Sequence, residues 1–218
     1  MKRACWIVSL AAIVGGCAYT NEEQVQAYRD DAFRQVQAGR YGDARESFEC
    51  ALKLQPNDIG LQYNVGYCAE RTGDMNTALQ YYDCCLRAEP DNGTYRHAMA
   101  SALLRQGRRA EAIALVQNWL AQHPTWADAY TLDGCLWHEI GDLQAAQARL
   151  QQALSFDPHN VRALVELGTI FEDMQMPERS VVLYEQALQI DPNQPDVGMR
   201  LNRALARTHP PQPPAPPG

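Results

Sequence analysis

Cation is scarce in this chain of 218 residues: 19 Lys and Arg stand against 26 Asp and Glu, a formal net charge of −7. Such an excess of negative charge repels nucleic-acid phosphate and anionic lipid, so neither is expected as a partner through electrostatics. Long apolar runs are also missing. The run Ala4 to Val14 (ACWIVSLAAIV) is apolar for only eleven residues, about half of what a membrane-spanning helix needs. The sequence has no glycine-rich phosphate loop with lysine, no Gly-x-Ser-x-Gly elbow and no His-Glu-x-x-His pair, which excludes the corresponding nucleotide, acyl-transfer and zinc-protease readings. It has no Cys-x-x-Cys, the spacing of redox dithiols and zinc knuckles. No cofactor or metal is expected, and no enzyme activity.

What the N-terminus does have is a positive start (Lys2, Arg3), the short apolar run, and then Gly15, Gly16 and Cys17. That is the layout of a secretory signal. The ending IVGGC resembles the lipobox of bacterial lipoproteins, which implies cleavage after residue 16 and a lipid on Cys17. Ala18 rather than Asp after the cysteine implies, by the same resemblance, an outer-membrane address facing the periplasm. GCA also fits ordinary signal cleavage after Ala18. Removing residues 1–16 takes away two cations and no acid. Attachment would therefore come from the lipid and not from a basic face. Residues 17–24 read as a short linker. Besides Cys17, the body holds Cys50, Cys68, Cys84, Cys85 and Cys135. This odd number leaves at least one thiol free, and a Cys68–Cys85 disulfide and buried free thiols both remain open.

Proline recurs at Pro56, Pro90, Pro124, Pro158 and Pro192, thirty-four residues apart without an insertion. Five windows follow: 25–58, 59–92, 93–126, 127–160 and 161–194. Their twentieth positions read Ala44, Ala78, Ala112, Ala146 and Ser180, and their twenty-eighth are all leucine. The twenty-fourth are Phe48, Tyr82, Val116, Leu150 and Tyr184; the twenty-seventh are Ala51, Cys85, Trp119, Ala153 and Ala187. Apolar residues at three- and four-residue spacing form one helical stripe. Glycine at position 15 (Gly39, Gly73, Gly107, Gly141, with Gln175 as the departure) ends a first helix in the left-handed conformation, and the proline ends a second. Asp58, Asn92, Thr125 and Asn160 are expected to cap the next hairpins. Each window is a helix–turn–helix.

Windows 25–194 resemble the tetratricopeptide repeat, best at 59–92, with Gly66, Gly73, Ala78, Tyr82, Leu86 and Pro90. The resemblance implies an all-α, right-handed solenoid of five hairpins. Residues 195–207, with Val197, Met199, Leu201 and Leu205 among arginines, would be its solvating cap. Residues 208–218 would form a polyproline tail. Trp119 stands where a small residue belongs, so a local change of packing is expected between the third and fourth windows, with Gly134 supplying space. Pro177 opens the last second helix, where proline is tolerated.

The resemblance further implies a concave face built by the first helices, and hence a site for a protein or peptide partner. Its usual positions give Arg29, Phe33, Tyr63, Asn64, Tyr67, His97 and Arg105 as peptide-binding candidates, with Ser101, Thr131, Cys135 and His138 beyond them. Rings beside a guanidinium and an amide suit an extended or helical peptide. Arg29 and Asn64 match the family's carboxylate clamp, but Phe33, Thr94 and Ala98 replace its other members, so a free C-terminus is not the expected ligand. Cys135, His138 and Glu172 form the one constellation with a metal or thiol reading. Lipobox, short linker and hairpin array together resemble lipoproteins that assist pilus and secretin assembly; a scaffold for cell-wall enzymes is the alternative.

Overall fold

The computed structural model describes residues 20–208. The signal, the Cys17 lipidation site and tail residues 209–218 lie outside the described residues. Among these, eleven α-helices follow one another without a strand: α1 (Asn21–Gln37), α2 (Tyr41–Leu54), α3 (Ile59–Arg71), α4 (Met75–Ala88), α5 (Gly93–Arg105), α6 (Arg109–Gln122), α7 (Ala127–Ile140), α8 (Leu143–Phe156), α9 (Val161–Asp173), α10 (Pro177–Ile190) and α11 (Pro195–Thr208). They divide into two compact units, residues 1–109 and 110–218. Within unit 1, α1 pairs with α2 and α3 with α4, while α2 packs on α3 and α4 on α5; within unit 2, α7 pairs with α8 and α9 with α10, while α8 packs on α9 and α10 on α11, the stacked hairpins expected of a solenoid.

Local chemistry sets the boundaries. Helix α1 starts inside the segment read as linker, because Thr20 and Glu23 form a reciprocal capping box: Glu23 N donates to Thr20 Oγ1 (3.2 Å) and Thr20 N to Glu23 Oε2 (2.8 Å). Asp58, Asn92 and Asn160 cap α3, α5 and α9 through their side chains. Thr125 does not cap α7: Trp126 occupies that place, and no side chain bonds to the first turn. The second helices end two residues before each scheduled proline. Gly39, Gly73, Gly107 and Gly141 all take positive φ, and Gln175 adopts the same left-handed geometry at φ 58°. That position demands the conformation whatever residue fills it.

Packing follows the periodicity. The side chains at positions 20, 24 and 27 are buried in every window. In unit 1, Val25, Ala32, Ala44, Phe48, Ala51, Leu61, Val65 and Cys68 form one core. In unit 2 one cluster joins α8 to α9 (Ala146, Leu150, Ala163, Leu167, Ile170), and a second carries Leu164, Tyr184, Ala187, Val197 and Ala204. Position 8 is small because the paired helix passes directly over it. A Cβ on Gly66 would lie 2.9 Å from Tyr82 Cε1, and one on Gly134 2.6 Å from Leu150 Cγ. The space beside Gly134 thus belongs to Leu150, not to Trp119. Trp119 is itself buried, edge-on to Trp126 and His123.

The cap helix α11 is held by two buried residues. Val197 and Ala204 are buried, whereas Met199 (59% exposed) and Leu205 point outward. Helix α11 also includes Thr208, first residue of the segment read as tail.

Candidate functional site

All seven peptide-binding candidates lie in unit 1, on α1, α3 and α5. Phe33 on α1 is 45% exposed and meets Phe48 edge-on, with ring centroids 5.3 Å apart. On α3, Tyr63 sits between Tyr82 (5.7 Å) and Tyr95 (5.2 Å). One turn later Tyr67 faces Tyr41 at 6.1 Å, and the Arg71 guanidinium lies over the Tyr41 ring at 4.8 Å. Burial pushes the Tyr67 and Tyr95 hydroxyls above the ordinary tyrosine range, so both stay neutral donors. The half-buried Asn64 amide makes no hydrogen bond among the described residues. His97 is half-buried on α5.

Two candidates are engaged within the fold. Arg29 Nη1 donates to Asp58 Oδ2 at 3.4 Å, while Asp58 Oδ1 caps α3 by accepting from Leu61 N at 2.9 Å. This bond ties α1 to the start of α3. Arg105 pairs with Glu70 at 2.8 Å, and the same carboxylate accepts from the Tyr82 hydroxyl at 2.6 Å. The sequence reading missed this three-residue latch. Its signal was present: Glu172, Tyr184 and Arg207 stand three windows later, and Tyr184 Oη again donates to Glu172 (2.8 Å) with Arg207 at 3.8 Å. A glutamate at position 12 serves a tyrosine at position 24 of its own hairpin and an arginine at position 13 of the next. Where position 24 is Phe48 or Leu150, position 12 is Val36 or His138.

The Cys135, His138 and Glu172 constellation does not assemble. Cys135 is buried, and burial pushes its thiol up to about 12. His138 Nε2 lies 2.7 Å from Asp173 Oδ2, with Glu166 3.9 Å from its other nitrogen. Glu172 is taken by its latch. No group of three His, Cys, Asp or Glu side chains among the described residues is placed to hold a metal ion. Cys68 and Cys85 are likewise separate free thiols: Cys68 belongs to the unit 1 core, while Cys85 Sγ faces the Ile59 carbonyl at 3.6 Å.

What remains is a face of aromatic rings on successive first helices, with hydroxyls and one unsatisfied amide between them. It can stack on apolar side chains and bond to a peptide backbone.

Known proteins similar to this chain in sequence or fold are numerous. Family models described as tetratricopeptide repeat match residues 34–93 and 139–195, more than half of the chain, and a further one matches 69–132. The tetratricopeptide repeat-containing protein trd-1 of Caenorhabditis elegans is 26% identical over 133 residues, 59% of this chain and 17% of that protein. Protein FlbA of Caulobacter vibrioides is 24% identical over 163 residues, covering 73% and 27%. The chain thus spans less than a third of the length of these relatives. Among solved structures, a thermophilic tetratricopeptide repeat protein of Thermus thermophilus superimposes with a TM-score of 0.62 at 23% identity, covering 83% of this chain and 98% of that one. A repeat protein from Parabacteroides merdae reaches 0.51 at 18% identity, covering 85% and 74%. Those likenesses establish the fold. The chain belongs to the tetratricopeptide repeat family.

Proposed function

We propose that this protein is a lipid-anchored interaction scaffold. The face of α1, α3 and α5 holds a peptide segment of another envelope protein. The supporting observation is the sequence of rings on consecutive first helices, Phe33, then Tyr63 and Tyr67, then Tyr95, with the Asn64 amide left to bond among them. Rigid rings give large contact area at low entropic cost, and helix-borne rings are pre-organised. The proposed anchor is Cys17, and the proposed place is the periplasmic side of an outer membrane. The lipobox, the acidic body and the short linker support that address, and with the hairpin array they support assistance to pilus or secretin assembly. The test is capture from solubilised membranes with the intact protein and with Phe33, Tyr63 and Tyr67 all replaced by alanine. Loss of a captured partner with helicity retained supports the reading; an unchanged set of partners refutes it. Palmitate labelling of Cys17 that persists in Cys17→Ser refutes the anchor.

A further inference from the structure

Unit 2 carries a second group of aromatic rings, gathered around the turn before α7 and the end of α8. Trp126, just before α7, stacks on His123 with centroids 3.8 Å apart and stands edge-on to Trp119. Phe156, the last residue of α8, packs against Tyr130 of α7 at 5.3 Å. Despite these contacts Trp126 is 44% and Phe156 40% exposed. Between them opens a cleft of about 260 Å³, lined also by Asp128, Asp157 and Asn160. The cleft has room for one long side chain and not for a folded element.

Its charge is one-sided. Asp128 Oδ1 accepts from Asn160 Nδ2 at 2.9 Å, and Asp157 Oδ1 accepts from the His159 amide at 3.0 Å. Asn160 is itself fixed as the cap of α9, its Oδ1 accepting from Ala163 N. The carboxylates are therefore held in place by the frame. Neither is paired with an arginine or lysine among the described residues, whereas Asp58, Asp74 and Asp133 each carry an arginine. Aromatic faces are negative at their centres, so two rings and two carboxylates all favour a cation. A neutral apolar side chain would cover the rings at the cost of desolvating both carboxylates. A guanidinium suits the site better than an ammonium, since its flat face stacks on indole and phenyl while its edge forks a carboxylate.

We propose that this cleft receives an arginine side chain presented by a partner polypeptide, at a place separate from the unit 1 face. The test titrates the full chain, followed by nuclear magnetic resonance, with four peptides: acetyl-Gly-Arg-Gly-amide, its lysine and citrulline counterparts, and HPPQPPAPPG. Citrulline keeps the shape of arginine without its charge. The arginine peptide is expected to bind about tenfold more tightly than the citrulline one. Asp128→Asn with Asp157→Asn should abolish that preference, and Trp126→Leu should weaken binding about fivefold with the thermal melt unchanged. Equal binding of arginine and citrulline, tighter binding of lysine or of the proline-rich peptide, a preference that survives the double Asn variant, or no binding at all would each overturn the assignment.

Discussion

Gly168 on α9 lies directly beneath the ring of Tyr184. A Cβ built there would stand 2.6 Å from Cε1 and 3.0 Å from both Cδ1 and Cζ, so the ring must retreat by nearly 1 Å for Gly168→Ala. Tyr184 is fully buried and its hydroxyl is tied to Glu172 at 2.8 Å, which blocks the retreat. Overpacking of this kind costs ~1–3 kcal/mol. The better helix propensity of alanine returns about 1 kcal/mol, so the net expectation is a loss of about 1 kcal/mol. Gly198→Ala supplies the contrast. That glycine lies in a helix with open space around it, so the propensity gain of about 0.5–1 kcal/mol should appear unopposed. Adding Tyr184→Phe frees the ring and should recover part of the Gly168→Ala loss, just as untethered Phe48 coexists with Ala32. Urea unfolding of these three variants and the unaltered chain measures all of this. Gly168→Ala as stable as Gly198→Ala would show that helix approach does not explain the small residue at position 8.

Three further outcomes follow from the same geometry. Burial raises the Cys68 thiol to about 11, and Cys85 and Cys135 to about 12, while unfolded thiols ionise near 9. The unfolded state then holds fewer protons, so stability falls as pH rises above 9, each thiol adding up to ~1.4 kcal/mol per pH unit until its folded value is reached; urea midpoints that do not drop between pH 8 and 10.5 would contradict this. Thiol labelling of the native chain should modify Cys84 while sparing Cys50, Cys68, Cys85 and Cys135, because among the described cysteines only Cys84 is exposed, and mass mapping reads the result. Gln175→Gly should raise stability by about 0.5–1 kcal/mol by relieving the left-handed backbone; a lower unfolding midpoint would count against that strain.

The hairpins were legible in the sequence because their causes are local. Proline and glycine act on their own backbone, and the stripe at positions 20, 24 and 27 is read within a single helix. The Thr125 cap failed at this level, since the chain enters α7 one residue later at Trp126. Which apolar residues of the cap helix are buried was not legible: Val197 and Ala204 are covered, while Met199 and Leu205 are exposed. The site was less legible. Phe33, Tyr63 and Tyr67 lie on the first helices α1 and α3 that the repeat register implies, while the ion pairs of Arg29 with Asp58 and of Arg105 with Glu70 were not foreseen. Position 12 of one window pairs with position 13 of the next, a separation of thirty-five residues that no local pattern reveals. Comparing windows three apart would have exposed it, since Glu70, Tyr82 and Arg105 recur as Glu172, Tyr184 and Arg207.

The central claim is that partners are held by the rings of α1, α3 and α5. Photo-crosslinking in intact membranes tests it most directly, with benzoylphenylalanine placed at Phe33 and, as the control, at the exposed Val182 of α10. The account predicts a discrete adduct with another envelope protein from position 33 and none from 182. An adduct from 182 alone, or the same adducts from both, would contradict it.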